Sequence, residues 1–513
     1  MTTQLKFVPA NALITGWDFS TSGVKCLAFD VDGKTVAEIR LPTDLWTKGH
    51  VAELNLMQLE GQARGSVRAM AHALREEGRL DDWLAGGISA THHTAGRIDA
   101  QRNQVRRAIC WNDPTLAKYH EIGVERLGGE ERVRELLGGP WASRYSLSHL
   151  VKDEKKLHED GWRNTDRILT HGALAAGYLT GNFDVTSVSS AASTGMMNFG
   201  TRTWCRAMLD ALEDADHREM VWQQLPRIVH QFEPVGPLRP ALVLEARLHP
   251  GHVPIVFPTS DDQQAGLIGG GAVDSGQMAV ILGTSAVVNS SSAQVPKTDK
   301  LDVMRLNWDR YLWMRCYNNG AQFLNEIVGK NPPWSELDAE ASQVPAGCDG
   351  AMVLPFLFAE PSLGIKKPRF RWLPKKPRER GVRFRVALEA LAYLIALGVR
   401  QHENGGQEIT RITVSGGLAR SELMCKILAS ALGKPIQLLT SDEGPALGAA
   451  VTALAAMENH LRQQHGEEPT FTVADAVAKM VRFRARVEPE PEWEAVYAKG
   501  LKKFEKAAGI KKK

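Results

Sequence analysis

The stretch "PTSDDQQAGLIGG", residues 258 to 270, sets two carboxylates side by side and follows them with two amides and a run of small residues. The preceding "VPIVF" has the pattern of a short buried strand, and "QQAGLIGG" that of a helix opening, so Asp261 and Asp262 lie at a strand-to-helix turn. Two chemistries suit that position. A carboxylate there can satisfy the free amides of the helix, or it can take a proton from a bound hydroxyl.

Three glycine-containing turns elsewhere have the composition of phosphate cradles. In "GWDFSTSGVK" a strand ends at Asp18, and Ser20, Thr21 and Ser22 offer amides and hydroxyls to phosphate oxygens. In "VILGTSAVV" the turn Gly283, Thr284, Ser285 joins two apolar strands in the same way. In "ITVSGGLARSELM" a buried strand runs into Gly416 and Gly417, which permit close backbone approach, and Ser421 is placed to cap the next helix. In "SDEGPALGAAV" the small residues around Gly444 and Gly448 suit either tight helix packing or nucleotide contact. Taken together, the turns describe a nucleotide held between two domains, and the Walker pattern is absent.

The elements that must hold these turns alternate along the chain. "ALITGWDF", "GVKCLAFD" and "KTVAEIRL" have the pattern of three strands, with Asp32-Gly33 as a hairpin signal, followed by a long helix and the strand "AGGISAT". After residue 257 the order recurs, with the strand pair "QMAVILGT" and "AVVNSSS" and further alternation to about residue 460. That echo predicts two similar halves facing a cleft.

Composition agrees with a large α/β enzyme: the 513 residues are 43% hydrophobic and 24% charged. The six cysteines form no CxxC pair, which speaks for reduced thiols without structural zinc. The N-terminal stretch lacks a basic segment followed by an apolar run, and "VALEALAYLIALGV" contains Glu389, so a core helix is expected there and a cytoplasmic protein without a membrane span. The net charge of +3 favours no partner, but residues 366 to 385 carry ten basic side chains against Glu379. That segment is either a solvated loop or an attractor of polyanions, with nucleic acid poorly supported by its few aromatics.

Eight pieces in order, from "GWDFSTSGVK" through "GISATHHTAGRID", "RRAICWNDPT", "YLTGNFDVTSVSSAAST", "SDDQQAGLIGGG", "VILGTSAVV" and "VSGGLARSELM" to "EGPALGAAV", make the chain resemble the FGGY carbohydrate kinases, members of the actin, hexokinase and Hsp70 ATPase superfamily. The resemblance implies two ribonuclease-H-like domains flanking a catalytic cleft: a sugar-binding domain over 12–257, a nucleotide-binding domain over 258–457, and a helical extension over 458–513. It implies ATP and Mg2+ as cofactors, a small sugar as partner, no nucleic acid or membrane, and room for a homodimer. Similar kinases carry the proton-accepting Asp in a "GDQQAA" setting, which aligns with Asp262 and leaves Asp261 as a cap or supporting group. Asp262, near a helix N-terminus, is expected to stay ionised.

Asp18 is carried over as the carboxylate acting on magnesium, usually through water. The usual glycine two residues after it is Ser20 here, a residue less tolerant of positive φ, although some eukaryotic xylulose kinases resemble the chain in "WDFST". His92 and His93 align with the Met-His pair that touches the sugar in bacterial xylulose kinases. Trp111, Asn112 and Asp113 match their "WND" and are expected to line or support the pocket. "LFAEPSLG" departs from the common "SGERTP", and His149 replaces a usual lysine, which puts the particular sugar in doubt. The resemblance therefore implies phosphorylation of a ketose, D-xylulose ahead of ribulose and of a polyol such as glycerol. The competing reading of another class is a non-catalytic, nucleotide-dependent sugar sensor.

Overall fold

The computed structural model describes residues 4–48, 51–283, 285–298, 300–320, 322–329 and 332–510. Two seven-stranded sheets dominate it, and they are built alike. In the first, the strands Thr35–Pro42, Gly23–Asp30 and Leu13–Phe19 run antiparallel, and Trp83–Ala90 then lies parallel to Leu13–Phe19. In the second, Tyr311–Tyr317, Ala286–Ser292 and Gln277–Leu282 repeat the antiparallel set, with Arg411–Ser415 parallel to Gln277–Leu282. The repetition read from the sequence is thus a repetition of topology. A smaller five-stranded sheet, including Ala95–Ile98 and Gln104–Ile109, attaches to the first half.

The strands form where β-branched and aromatic residues alternate or run continuously, because each sheet is covered on both faces and its central strands are buried. The hairpin between Gly23–Asp30 and Thr35–Pro42 turns at Asp32-Gly33 as expected, with Gly33 at φ +83°. Helix Leu56–Glu76 covers the first sheet, and helix Arg380–Asn404, buried through most of its length, covers the second.

Helix Gly444–Gln464 joins the halves. It lies on the first sheet so closely that a Cβ on Gly16 would be 1.8 Å from the Ala446 carbonyl oxygen and one on Gly87 2.1 Å from that of Ala449. Its other side meets helix Asp262–Gly269, where a Cβ on Gly448 would lie 1.9 Å from the Ala265 oxygen. Of the two roles open to the small residues near Gly444 and Gly448, the structure realises helix packing. One hydrophobic core accordingly combines Ile14, Phe29 and Ala85 with Leu447, Val451 and Leu454.

Residues beyond this helix include a strand as well as helices: Phe483–Val487 pairs with Ile436–Leu439 at the edge of the second sheet, between helices Val473–Met480 and Pro491–Ala508. The basic segment is ordered too. Arg369–Leu373 is a strand paired with Met352–Phe356, Arg380 binds Glu336 and Glu340, and Arg385 is buried against Glu389 and Tyr497. No described helix is long and apolar enough to cross a membrane, and all six cysteines are free thiols.

Candidate active site

Register places three strand ends side by side. Asp18 pairs with Ser89 on the parallel neighbour, and the short strand Ser260–Asp261 pairs with Ser89 and Ala90. The carboxyl ends of parallel strands are where open α/β sheets bind ligands. Asp18, the His92-His93 turn and the Asp261-Asp262 pair therefore converge, although they are far apart in sequence.

Asp262 opens its helix and is only partly exposed. Its Oδ1 is sealed from solvent with no hydrogen-bond partner. Burial pushes its carboxyl up to about 7; the positive side of His92 opposes this, while Asp18 and Asp261 add to it. Burial beside two other carboxylates thus works against the ionised state expected of Asp262 at a helix N-terminus. Asp18 behaves alike. Burial raises it to about 6, against the Ser89 hydroxyl, which donates to Oδ1 at 2.8 Å, and the charge of Lys25.

Asp261 stands at the N-cap position but makes no capping bond through its side chain, which leaves the supporting role of the two expected of it. Its Oδ2 lies 2.9 Å from His92 Nε2, without the alignment of a hydrogen bond. His92 stacks on His93 at 3.7 Å, and His93 on Tyr145 at 4.4 Å. His93 adopts φ 60°, the left-handed region that a non-glycine residue enters at a cost. Its Nδ1 donates to the Ser193 carbonyl at 3.0 Å, which leaves Nε2 as a buried acceptor without a partner. Burial, together with the positive neighbours His92 and Arg144, holds its pKa well below the usual imidazole range. His149 is likewise buried and lowered to about 3, with Nε2 against the Arg144 carbonyl, so it brings no charge in place of the expected lysine.

Trp111 and Asn112 are exposed on the turn after strand Gln104–Ile109. Asp113 is buried, accepts from Thr115 and pairs with Lys152, a bond that holds this turn in place. No contact joins Trp111 or Asn112 to the Asp262 cluster among the described residues.

The first phosphate turn is tied by Ser20, whose Oγ bonds the Gly23 carbonyl at 2.8 Å and accepts from the amides of Ser22 and Gly23. Ser20 is not in the positive-φ region, so the serine causes none of the strain that its replacement of glycine suggested. Thr21 and Ser22 complete the turn, and the Ser22 hydroxyl is bonded to that of Ser20 at 3.1 Å. Gly283 and Ser285 form the second turn through a 3.2 Å amide-to-carbonyl bond, and Thr284 lies outside the described residues.

Gly283, Gly417 and Ser421 meet on one cavity of about 580 Å3, with Trp334, Asp338 and Phe384 as further walls. Gly416, at φ +95°, must lack a side chain, since a Cβ would lie 2.6 Å from the Leu282 carbonyl oxygen; one on Gly417 would meet nothing. Ser421 caps the helix Glu422–Leu432 through the Met424 amide and donates to Asp338 Oδ1 at 3.0 Å. Trp334, Phe384 and Asp338 were not singled out in the sequence, because aromatics in an amphipathic helix are indistinguishable there from core residues.

No cluster of three or more His, Cys, Asp or Glu among the described residues could hold a metal ion alone. Asp18 nevertheless fits a magnesium bound largely through water: Ser89 occupies its Oδ1, and among the described residues no hydrogen bond engages Oδ2.

Comparison with known proteins bears on the family and the fold. Residues 13–269 match the N-terminal domain model of the FGGY family of carbohydrate kinases, and residues 278–457 match the C-terminal one. A xylulose kinase of Escherichia coli K12 is 27% identical over 85% of this chain and 88% of its own. Glycerol kinase 2 of Streptomyces avermitilis is 25% identical over 95% and 99%. The structure of a ligand-bound xylulose kinase from Lactobacillus acidophilus superposes with a TM-score of 0.83 at 19% identity, covering 97% of this chain and 98% of the other.

Proposed function

The chain belongs to the FGGY family of carbohydrate kinases and is an ATP-dependent sugar kinase; from that premise we propose that its acceptor is a ketose, D-xylulose first, and that Asp262 is the general base. The observation that carries the proposal is the unpartnered Oδ1 of Asp262 at the point where three strand ends converge. A base near neutrality can accept the proton of a sugar hydroxyl as that oxygen takes the γ-phosphoryl of ATP and ADP leaves.

Asp261 and His92 form a donor and acceptor pair suited to neighbouring hydroxyls, and the free Nε2 of His93 offers an acceptor. Trp111 and Asn112 would complete the sugar site from their exposed turn when the halves close. The turns at Ser20–Ser22, Gly283–Ser285 and Gly416–Gly417, with Ser421, would hold the nucleotide. Magnesium, when bound, would offset phosphate charge, with Asp18 holding it through water. The similar xylulose kinases favour D-xylulose; the similar glycerol kinase keeps a polyol as the second reading.

ADP release measured across pentuloses, hexuloses, glycerol and alditols tests this. The highest kcat/KM is expected for D-xylulose. If every acceptor failed while ATP bound, the sensor reading would replace it.

A further inference from the structure

A second polar cavity, of about 810 Å3, opens where the halves meet, with Ser143 and Arg144 contributed by the first and Lys300, Asp302, Arg315 and Glu360 by the second. Asp18, His92, Asp262 and Gly417 do not line it, and it shares no lining residue with the nucleotide cavity; toward the sugar site it is bounded by Arg144, whose charge acts on His93 and whose neighbour Tyr145 stacks on that ring.

Its charges do not balance within the protein. Arg144 is paired with Asp302. Glu360 is saturated by the Asn318 amide at 2.9 Å, Asn319 Nδ2 at 3.1 Å and Ser362 Oγ at 3.0 Å. Arg315 is only 5% exposed, yet its Nε alone is engaged, donating to Gln401 Oε1 at 2.6 Å. Its Nη2 is buried without an acceptor, and neither Arg315 nor Lys300 makes an ion pair among the described residues. A buried guanidinium without a counter-charge is unfavourable, and an anion supplied from outside would complete it.

The basic segment approaches the same opening. Glu360 and Ile365 are bridged, so that Ser362, Leu363 and Gly364 form part of the wall, and Lys366 and Lys367 follow directly, both exposed. Arg369 donates to the Ala508 carbonyl at 3.0 Å, next to Gly509 and Ile510, which close another side. Lys366 and Lys367 thus follow directly on the wall of a cavity in which the buried Arg315 is unpaired. Such a field attracts anions.

We propose that this cavity binds a sugar phosphate, its phosphate held by Arg315 and Lys300. The guanidinium fork matches phosphate oxygens, and the Ser143 hydroxyl and the Asn318 side-chain amide on the cavity wall suit the hydroxyls of a polyol. A bare anion would not need a cavity of this volume.

The test is thermal denaturation of the full chain in saturating ADP, titrated with ribose 5-phosphate, with ribose and inorganic phosphate as separate controls. Ribose 5-phosphate is expected to raise Tm well beyond either control. Arg315→Gln is expected to weaken its apparent affinity by about tenfold or more, in line with loss of a charged hydrogen bond, with ADP binding retained. Lys300→Gln, at an exposed position, is expected to weaken it by about threefold and decides the matter if Arg315→Gln does not fold. Equal affinity in the variants would place the ligand in the catalytic cleft and overturn the proposal. No rise beyond ribose, or a rise matched by inorganic phosphate, would overturn it as well.

Discussion

Asp262 has to give up stability to be useful. Its carboxyl lies at about 7 and that of Asp18 at about 6, both above the ordinary aspartate value of 3.8. A group raised on folding favours the folded state fully below its unfolded value, and loses that contribution as pH climbs through its folded value. These two carboxylates therefore destabilise the ligand-free protein progressively from about pH 4 to above pH 7. Asp262→Asn is expected to lower turnover by about 100-fold or more, the range for losing a general base. The same variant should be more stable than the parent at pH 8 by about 2 kcal/mol, the full shift being discounted for partial exposure, with the gain vanishing toward pH 4. Urea melts at the two pH values, beside an ADP-release assay, check both parts. A variant that lost activity and stability together at pH 8 would point to a structural role.

Asp261 calls for a different outcome. Since its carboxylate faces His92 and does not cap the helix, Asp261→Asn should leave the melting temperature nearly unchanged and raise the sugar KM by about tenfold through the weakened pair, with little change in kcat. An unchanged KM would remove Asp261 from the sugar site. Neither the His92 pairing nor the raised carboxyls could be seen in the sequence: "SDDQQ" announces a helix start, and capping is the local use of such a residue. What turns it to another use is a histidine brought in by the neighbouring strand.

At the scale of elements, hairpins and turns were legible because they depend on neighbours in the chain. Gly33 and the seams around Ser20 and Gly416 follow from local backbone demands. The placing of helix Gly444–Gln464 was not, since its small residues suit several partners and only the long-range crossover selects the first sheet. The other side of the same helix packs against helix Asp262–Gly269, and that contact bears on the position of Asp262. Gly448→Ala would force a methyl against the Ala265 carbonyl, backbone against backbone, and is expected to cost at least about 3 kcal/mol, the upper part of the range for overpacking. Turnover should fall with it, because the helix bearing Asp262 must move. Denaturant midpoint and ADP release measured together test this; a stable, fully active variant would mean that the helices separate freely.

For the molecule as a whole, repeated topology on either side of the carboxylates suits a hinge motion that excludes water from the phosphoryl group. Glu443 already ties the start of helix Gly444–Gln464 to the first half, through Lys25 at 2.6 Å and Arg40 at 2.7 Å. D-xylulose together with a nonhydrolysable ATP analogue is expected to reduce the radius of gyration in small-angle scattering, and identical profiles with and without both ligands would speak against closure. The two-half architecture and its family were legible because many short turn motifs recur in order. The cavity around Arg315 was not, since an arginine in an apolar strand gives no sign of whether it has found an acid.

The core that unites Ile14, Phe29 and Ala85 with Leu447, Val451 and Leu454 also bears on how the protein is made. During synthesis the strands Leu13–Phe19 and Trp83–Ala90 leave the ribosome hundreds of residues before the helix that covers them, so one face of the first sheet waits uncovered while most of the remaining chain is translated. The nascent first half is consequently a substrate for chaperones until about the last seventh of the chain emerges, and a message truncated ahead of residue 444 should yield insoluble protein however well its own strands pair.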